Sequence, residues 1–563
     1  MKIIIGLFMI LLLNIDCSSQ KRTYTNPVMS GFYPDPSVCR VGDDYYLVNS
    51  TFAYFPGLPI FHSKNLVNWK NIGHILDRPE QLDLEGAITS GGLYAPAIHF
   101  HNGLFYVTCT NTSGKGNFVV TAKNPAGPWS NPVYLPEVNG IDPSLIFDAD
   151  GKSYIVYNSV APDEKPLYEG HRTIRINEFD AEHLKVISDN KVIVNGGVDF
   201  SKKPIWIEGP HIYKIDKWYY LMAAEGGTAE DHSEVIFRST NIMGPYTAYE
   251  NNPILTQRHL DPARKNAITS TGHADLIQTQ NGDWWAVFLG CRPYKPYEDG
   301  FYNTGRETFM TPVKWKNGWP IINPDFEEVQ HFYTHPFPDL ASDEPNYYSG
   351  NFSLTDEFND STLNPDWIFL RTPKEKWFNL EESKLKIKLR PETCSGLSNP
   401  SLIARRQQHA IGTASASMEF KPEAENEKAG LLAFQNEDHF YYMCKSVEAG
   451  NSVIQLYKSN PDAENDMELI ASEKIGEKKN ADEVQFKIDA DEDKYTFSYK
   501  AGNEDWKVLM KDADGKFIST DIPRDFCGGI FAMYCTSLGK TSENEAVFNW
   551  FSYTGNDEIY RKK

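Results

Sequence analysis

The sequence predicts an all-β chain, a five-bladed β-propeller followed by a β-sandwich. Three observations carry that prediction. Aromatic strand-like runs recur five times before residue 290, each entered through a turn. A second short element precedes each run at a similar distance. Beyond residue 350 the pattern changes to short alternating apolar and polar runs with few amphipathic helical stretches.

The recurring runs are Tyr45-Tyr46-Leu47-Val48, Phe105-Tyr106-Val107, Tyr154-Ile155-Val156-Tyr157, Tyr219-Tyr220-Leu221-Met222 and Trp284-Trp285-Ala286-Val287-Phe288. Turn residues such as Asn102-Gly103, Asp150-Gly151 and Asn281-Gly282-Asp283 stand before them, which is a hairpin signal. The preceding elements begin at Asp35, Ala95, Asp142, Glu208 and His273, spaced 60, 47, 66 and 65 residues. Some runs are followed by a third element, as in Ser63-Lys64-Asn65-Leu66 and Ser239-Thr240-Asn241-Ile242. Repeats of this size holding about four short strands each read as propeller blades over residues 24–335. Equivalent positions in a propeller are related by rotation about its axis. Asp35, Ala95, Asp142, Glu208 and His273 are therefore expected together at the mouth of the central channel, at the starts of the inner strands.

Residues 336–350, rich in Pro, Asp and Ser, read as a linker, and residues 351–563 as the sandwich. Leu385-Lys386-Ile387-Lys388-Leu389 has the period of a half-buried strand, and Phe440-Tyr441-Tyr442-Met443-Cys444 that of a more buried one. At the other end, Met1-Lys2 and the apolar run Ile3–Leu13 make residues 1–20 a secretory signal, too short to span a bilayer. The expected address is periplasmic or cell-surface, with Cys17 either lipidated or removed. The remaining seven cysteines show no zinc spacing and read as small buried hydrophobes. The charge of 55 − 76 = −21 argues against a nucleic-acid or anionic-membrane partner. No later apolar run is long enough for a membrane span, and the sequence leaves open whether the chain forms a homo-oligomer.

Three carboxylates meeting in one pocket cannot all ionise easily, and the least solvated keeps its proton near neutral pH. Glycosidic cleavage uses that pairing, a carboxylic acid to protonate the leaving oxygen and a carboxylate to activate water or to attack. Glu208, in Pro204-Ile205-Trp206-Ile207-Glu208-Gly209-Pro210, has the apolar setting of the acid. Asp35, between Pro34 and Pro36, suits the base, and Asp142 in its Asp-Pro-Ser frame is placed to orient the others.

The stretch Asn26-Pro27-Val28 through Tyr33-Pro34-Asp35-Pro36-Ser37 to Phe55-Pro56-Gly57 resembles glycoside hydrolase family 43. So do Tyr94-Ala95-Pro96, Ile141-Asp142-Pro143-Ser144, Ile207-Glu208-Gly209-Pro210, Thr271-Gly272-His273-Ala274 and Thr304-Gly305-Arg306-Glu307-Thr308. The tail, around Ala404-Arg405-Arg406-Gln407-Gln408-His409, resembles the concanavalin-like β-sandwich that accompanies the family's β-xylosidases. The resemblance implies an inverting mechanism with Asp35 as general base, Glu208 as general acid and Asp142 as the residue that tunes the acid. Inversion leaves room for water between acid and base, roughly 6.5–9.5 Å. It further implies Arg306, Phe52 and Tyr94 as sugar-binding residues, and His273 as a channel histidine that holds a central cation or water. Phe526, on a sandwich loop before Cys527-Gly528-Gly529, is the candidate aromatic that closes the pocket. Tyr94 departs from the tryptophan common at its position. Asn549 replaces an aspartate, which weakens the case for calcium beside Asp356.

The implied activity is that of an exo-acting β-xylosidase releasing D-xylose from the non-reducing ends of xylo-oligosaccharides, with arabinoxylan fragments as a related substrate. An α-L-arabinofuranosidase or a dual enzyme is the alternative, because the two sugars present similar hydroxyl patterns. A non-catalytic glycan-binding protein is the remote one. No cofactor is required, and a structural calcium is the one metal considered.

Overall fold

The computed structural model describes residues 22–342, 344–476, 483–522 and 525–561. Residues 1–20, read above as a secretory signal, and Cys17 among them lie outside the described residues. Strands dominate, and the only α-helix among the described residues is the four-residue Glu558–Arg561. None of the described helices is long and apolar enough to cross a membrane.

Five antiparallel sheets are built in chain order, each from one continuous segment. Their innermost strands are Ser37–Val41, Ala97–His101, Ile141–Phe147, Glu208–Ile215 and Thr269–Gln278. Each inner strand touches the next, and the fifth touches the first, so the sheets close into a five-bladed propeller. The aromatic runs of the repeat are the second strands, buried between blades, for example Tyr45, Val107, Tyr157, Leu221 and Phe288.

No strand is shared between the first and last blades, so closure falls to side chains and to a short terminal pair. Thr23–Thr25 pairs with Phe332–Thr334 outside the blades. Inside, the Asp275 carboxylate of blade five accepts hydrogen bonds from the Ser37 hydroxyl (2.8 Å) and the Val38 amide (2.9 Å) of blade one. The ring of contacts continues through every blade. Ile98 N–H donates to Ser37 Oγ, His99 meets Ser144, Ser144 meets His211, and the Tyr213 hydroxyl returns to Asp275 at 2.6 Å. These polar groups are mostly buried and satisfy one another, as buried polar groups require.

The second unit packs two eight-stranded sheets face to face. One carries Ile411–Glu419 and Glu545–Asn556 at its centre, and the other Lys428–Asn436 and Ile530–Thr536. The second sheet takes its edge strand from the propeller. Tyr54–Phe55, on the hairpin loop of blade one, pairs with Ile368–Leu370. One apolar core accordingly runs from Phe105 and Val107 of blade two through Phe55 into Phe369 and Trp377 of the sandwich. In the stretch read as a linker, Tyr348 lies against blade one: it packs edge-on to Tyr33 and Phe61, and its carbonyl accepts the Ser30 amide at 2.7 Å.

Buried arginines fasten the same interface. Arg406 stacks over Phe32 and Tyr33 and donates to the Phe32 carbonyl at 2.9 Å. Arg371, fully buried, donates to Ala87 O, Gly396 O and Ser398 O and pairs with Glu437, which in turn accepts from Thr89. Removing one partner of such a pair strands the other in a dry site. Arg371→Ala should cost about 3–5 kcal/mol of unfolding free energy, read by denaturant titration, and a loss below 1 kcal/mol would show that the pair does not fasten the two units.

Candidate active site

A cavity of about 350 Å³ opens at the channel mouth between propeller and sandwich. Asp35, Phe52, Tyr94, Ala95, Asp142, Glu208, His273, Arg306 and Phe526 all line it. The five repeat-equivalent positions thus share one cavity, and the residues carried by the family resemblance face it from around the same rim. Ile141, Ile205, Trp206, Gly227 and Thr228 complete the wall and were not singled out in the sequence. Trp206 had a readable signal, since it lies two residues before Glu208. Gly227 and Thr228 carry no repeat signature.

Local backbone geometry aims these side chains inward. Asp35, Asp142 and His273 have φ of 51°, 56° and 52°, a left-handed conformation that non-glycine residues rarely adopt. The inner strands of blades three, four and five are bulged at Ile141–Ser144, Glu208–His211 and Thr269–Asp275. A bulge breaks strict alternation and re-aims a side chain, here toward the channel axis. Gly209 shares the left-handed conformation (φ 55°), and a Cβ there would strike the His273 ring at 2.9 Å. Strain of this kind persists only where the surroundings enforce it, and it clusters at functional sites.

The three carboxylates sit in unequal fields. Asp35, 5% exposed, accepts a 2.5 Å hydrogen bond from the Ser50 hydroxyl. The Arg306 guanidinium lies 3.9 Å away and His273 Nδ1 3.8 Å away. Burial opposes ionisation of Asp35, but Arg306, His273 and Ser50 together outweigh it and hold its pKa below the usual range. Burial pushes His273 itself down to about 4, so the ring is neutral near pH 7 and Arg306 supplies the charge that matters there. Burial and then the Asp142 carboxylate push Glu208 up to about 8. Burial and then Asp35 raise Asp142 to about 7, although it accepts the Gly209 amide at 3.1 Å. Asp142 and Glu208 titrate as a pair, and near neutral pH they share one proton that rests mainly on Glu208. The cavity therefore presents an ionised carboxylate beside Arg306 and a carboxylic acid opposite it.

Aromatic rings close the cavity. Phe52 and Tyr94 meet edge to face at 5.9 Å, their backbones tied through Leu93 by a two-way bridge. Phe526 arrives from the sandwich, stacks on Phe52 at 6.0 Å and meets Tyr94 edge-on at 6.0 Å. Its amide donates to Ser90 Oγ, and Arg306 lies over its ring at 4.7 Å. The loops bearing Arg306 and Phe526 touch backbone to backbone. A Cβ on Gly528 would meet Thr304 at 2.5 Å, so glycine there permits the contact.

Behind the wall, the buried Glu234 accepts the Ala274 amide at 2.9 Å and so braces the turn at His273. Among the described residues no group of three or more His, Cys, Asp or Glu is arranged to hold a metal ion. The charged and titratable neighbours of His273 include Asp35, His211, Arg306 and Asp275. Asp356 accepts hydrogen bonds from Phe358 N and Trp367 Nε1.

Residues 24–320 match the family described as glycosyl hydrolases family 43. The chain belongs to family 43. It is a glycoside hydrolase, and residues 355–554 match the concanavalin A-like domain described as C-terminal in β-xylosidases. A non-reducing end α-L-arabinofuranosidase of Bacteroides ovatus is 38% identical, over 98% of this chain and 97% of its own length. A xylosidase/arabinosidase of Butyrivibrio fibrisolvens is 37% identical, over 94% and 98%. The solved structure of a GH43_12 from the capybara gut metagenome superimposes with a TM-score of 0.84 at 40% identity, covering 92% of this chain and 96% of that one. This family 43 hydrolase thus keeps both units of its relatives.

The divided protonation has a direct spectroscopic check. The carbonyl band of a protonated carboxyl, identified by difference infrared spectra against Glu208→Gln, should persist at pH 6 and fade near pH 8. Asp142→Asn removes the neighbouring negative charge, so the band should fade at lower pH. An unchanged midpoint would show that Asp142 does not raise Glu208.

Proposed function

We propose that this hydrolase is an exo-acting, inverting β-xylosidase that releases D-xylose from the non-reducing ends of xylo-oligosaccharides. The observation that carries the proposal is the small cavity, closed by Phe526, in which a protonated Glu208 and an ionised Asp35 face one sugar-sized space. Its volume lies near the lower end of roughly 300–1,000 Å³ for small-molecule sites, which suits a terminal sugar unit.

In this reading Glu208 protonates the departing glycosidic oxygen while Asp35 takes a proton from water attacking the opposite face of the sugar. Burial, and then the like charge of Asp142, whose carboxylate accepts the Gly209 amide, keep Glu208 protonated. Arg306 holds Asp35 ionised and presents its planar donors to sugar hydroxyls. The Phe52, Tyr94 and Phe526 rings take the apolar ring face and exclude water. No cofactor enters the chemistry. The reading of residues 1–20 as a signal makes this an exported enzyme, with Cys17 as its anchor if lipidated.

The second reading is an α-L-arabinofuranosidase, favoured by the arabinofuranosidase name of the Bacteroides ovatus relative. The two pentoses present similar hydroxyls to Asp35 and Arg306, and the ratio of kcat/KM on nitrophenyl β-xyloside and nitrophenyl α-arabinofuranoside separates them. A ratio strongly favouring the arabinofuranoside would reverse the ranking.

Two outcomes test the roles. Glu208→Ala should slow xylobiose hydrolysis by roughly 10²–10⁴-fold, and should slow nitrophenyl xyloside less, because nitrophenolate departs with little help from an acid. Equal losses on both would remove Glu208 as the acid. Proton NMR of xylobiose cleavage should show α-xylose first, and β-xylose as the first anomer would contradict inversion.

A further inference from the structure

A groove of about 760 Å³ runs from the active-site wall along blade three. It lies between the 160–172 connection and Trp206, and no step of the proposed chemistry uses it. We propose that it binds the departing xylo-oligosaccharide chain, taking more than one xylosyl unit beyond the scissile bond. This rests on the β-xylosidase reading and specifies its leaving-group side.

Three observations converge. The first is continuity: Trp206 lines both the active-site cavity and the groove, so the two spaces are separated by one indole ring. The second is polarity. The acid must stand beside the leaving oxygen, and the Trp206 side chain hydrogen-bonds Glu208, so the groove lies on the acid's side. Two other cavities adjoin the active site, one through Ile205 and one through Thr228, Arg306 and Phe526, and neither is lined by Trp206. The leaving chain therefore belongs in the groove.

The third observation is surface chemistry. Leu167, at 71%, is strongly exposed, and Tyr168 stacks on His171 at 4.8 Å. An exposed apolar and aromatic strip beside a catalytic cavity marks a ligand surface, and the C–H faces of pyranose rings fit it. Arg172 lies over Trp206 at 4.6 Å. Its Nε and Nη2 donate to Asn158 Oδ1, while Nη1 has no protein partner among the described residues and can donate to a sugar hydroxyl. Glu164 and Glu169 supply acceptors at the groove's edge. The groove, at about 760 Å³, is larger than the active-site cavity and has room for more than one sugar ring.

The chain-length profile of one reaction tests this, because xylobiose, xylotriose and xylotetraose break the same kind of bond. Wild-type kcat/KM should rise at least threefold from xylobiose to xylotriose and then level. Combining Leu167→Ser with Tyr168→Ala should flatten that rise, lowering kcat/KM on xylotriose at least fivefold relative to nitrophenyl xyloside. Leu167→Ser alone, at a strongly exposed position, should move the ratio in the same direction without disturbing the fold. Equal losses on both substrates would make these residues merely structural and overturn the assignment, as would wild-type values on both. A wild type that cleaves no xyloside would remove the β-xylosidase reading instead. The same variants are then compared on nitrophenyl arabinofuranoside and on arabinofuranosyl-xylotriose, where a selective loss on the second supports the groove and its absence overturns it.

Discussion

Three carboxylates and one guanidinium share one cavity with their side chains buried, and the rest of the structure serves that arrangement. Asp35, Asp142, Glu208 and Arg306 are each less than a tenth exposed. Charges so placed cannot all persist, so the site divides them: Arg306 keeps Asp35 ionised, while burial and mutual repulsion leave a proton on the Asp142–Glu208 pair. A carboxylic acid and a carboxylate therefore coexist near pH 7.

Such a cluster is unfavourable by itself, and the scaffold has to hold it. Left-handed residues and bulges on separate blades turn the side chains toward the axis. The polar ring through Asp275, Ser37, Ser144, His211 and Tyr213 locks the blades against one another just behind the site. The sandwich completes the wall. Phe526 covers Arg306 and removes it from solvent, which strengthens its hold on Asp35. The Arg371–Glu437 pair and Ser90 fix the sandwich against the segment before Tyr94. The two units act as one enzyme because the second supplies a side of the first one's pocket.

Much of this was readable along the chain because a propeller writes its symmetry into the sequence. Asp35, Asp142, Glu208 and His273 could be grouped from repeat spacing alone, and the resemblance added Phe52, Tyr94, Arg306 and Phe526. Other parts left no trace. Tyr54-Phe55 looks like part of a blade loop, yet it forms the edge of a sandwich sheet more than three hundred residues away. Residues 336–350 have the composition of a tether, and nothing in it announces that Tyr348 packs on blade one. Glu234 sits in an ordinary strand, and only the fold brings it to the turn at His273.

The sequence by itself determined the repeat and the chemical types placed at each inner-strand start. Both are local properties, set by turn residues, alternation and side-chain identity. The tertiary structure decided which of the carboxylates carries a charge, since that depends on distances to Arg306 and on burial from every direction. It also decided that Trp206 divides the pocket from the groove and that Phe526 closes it, because those contacts join positions with no shared period. Periodicity reports which residues are equivalent, whereas fields and walls depend on what the fold brings beside them.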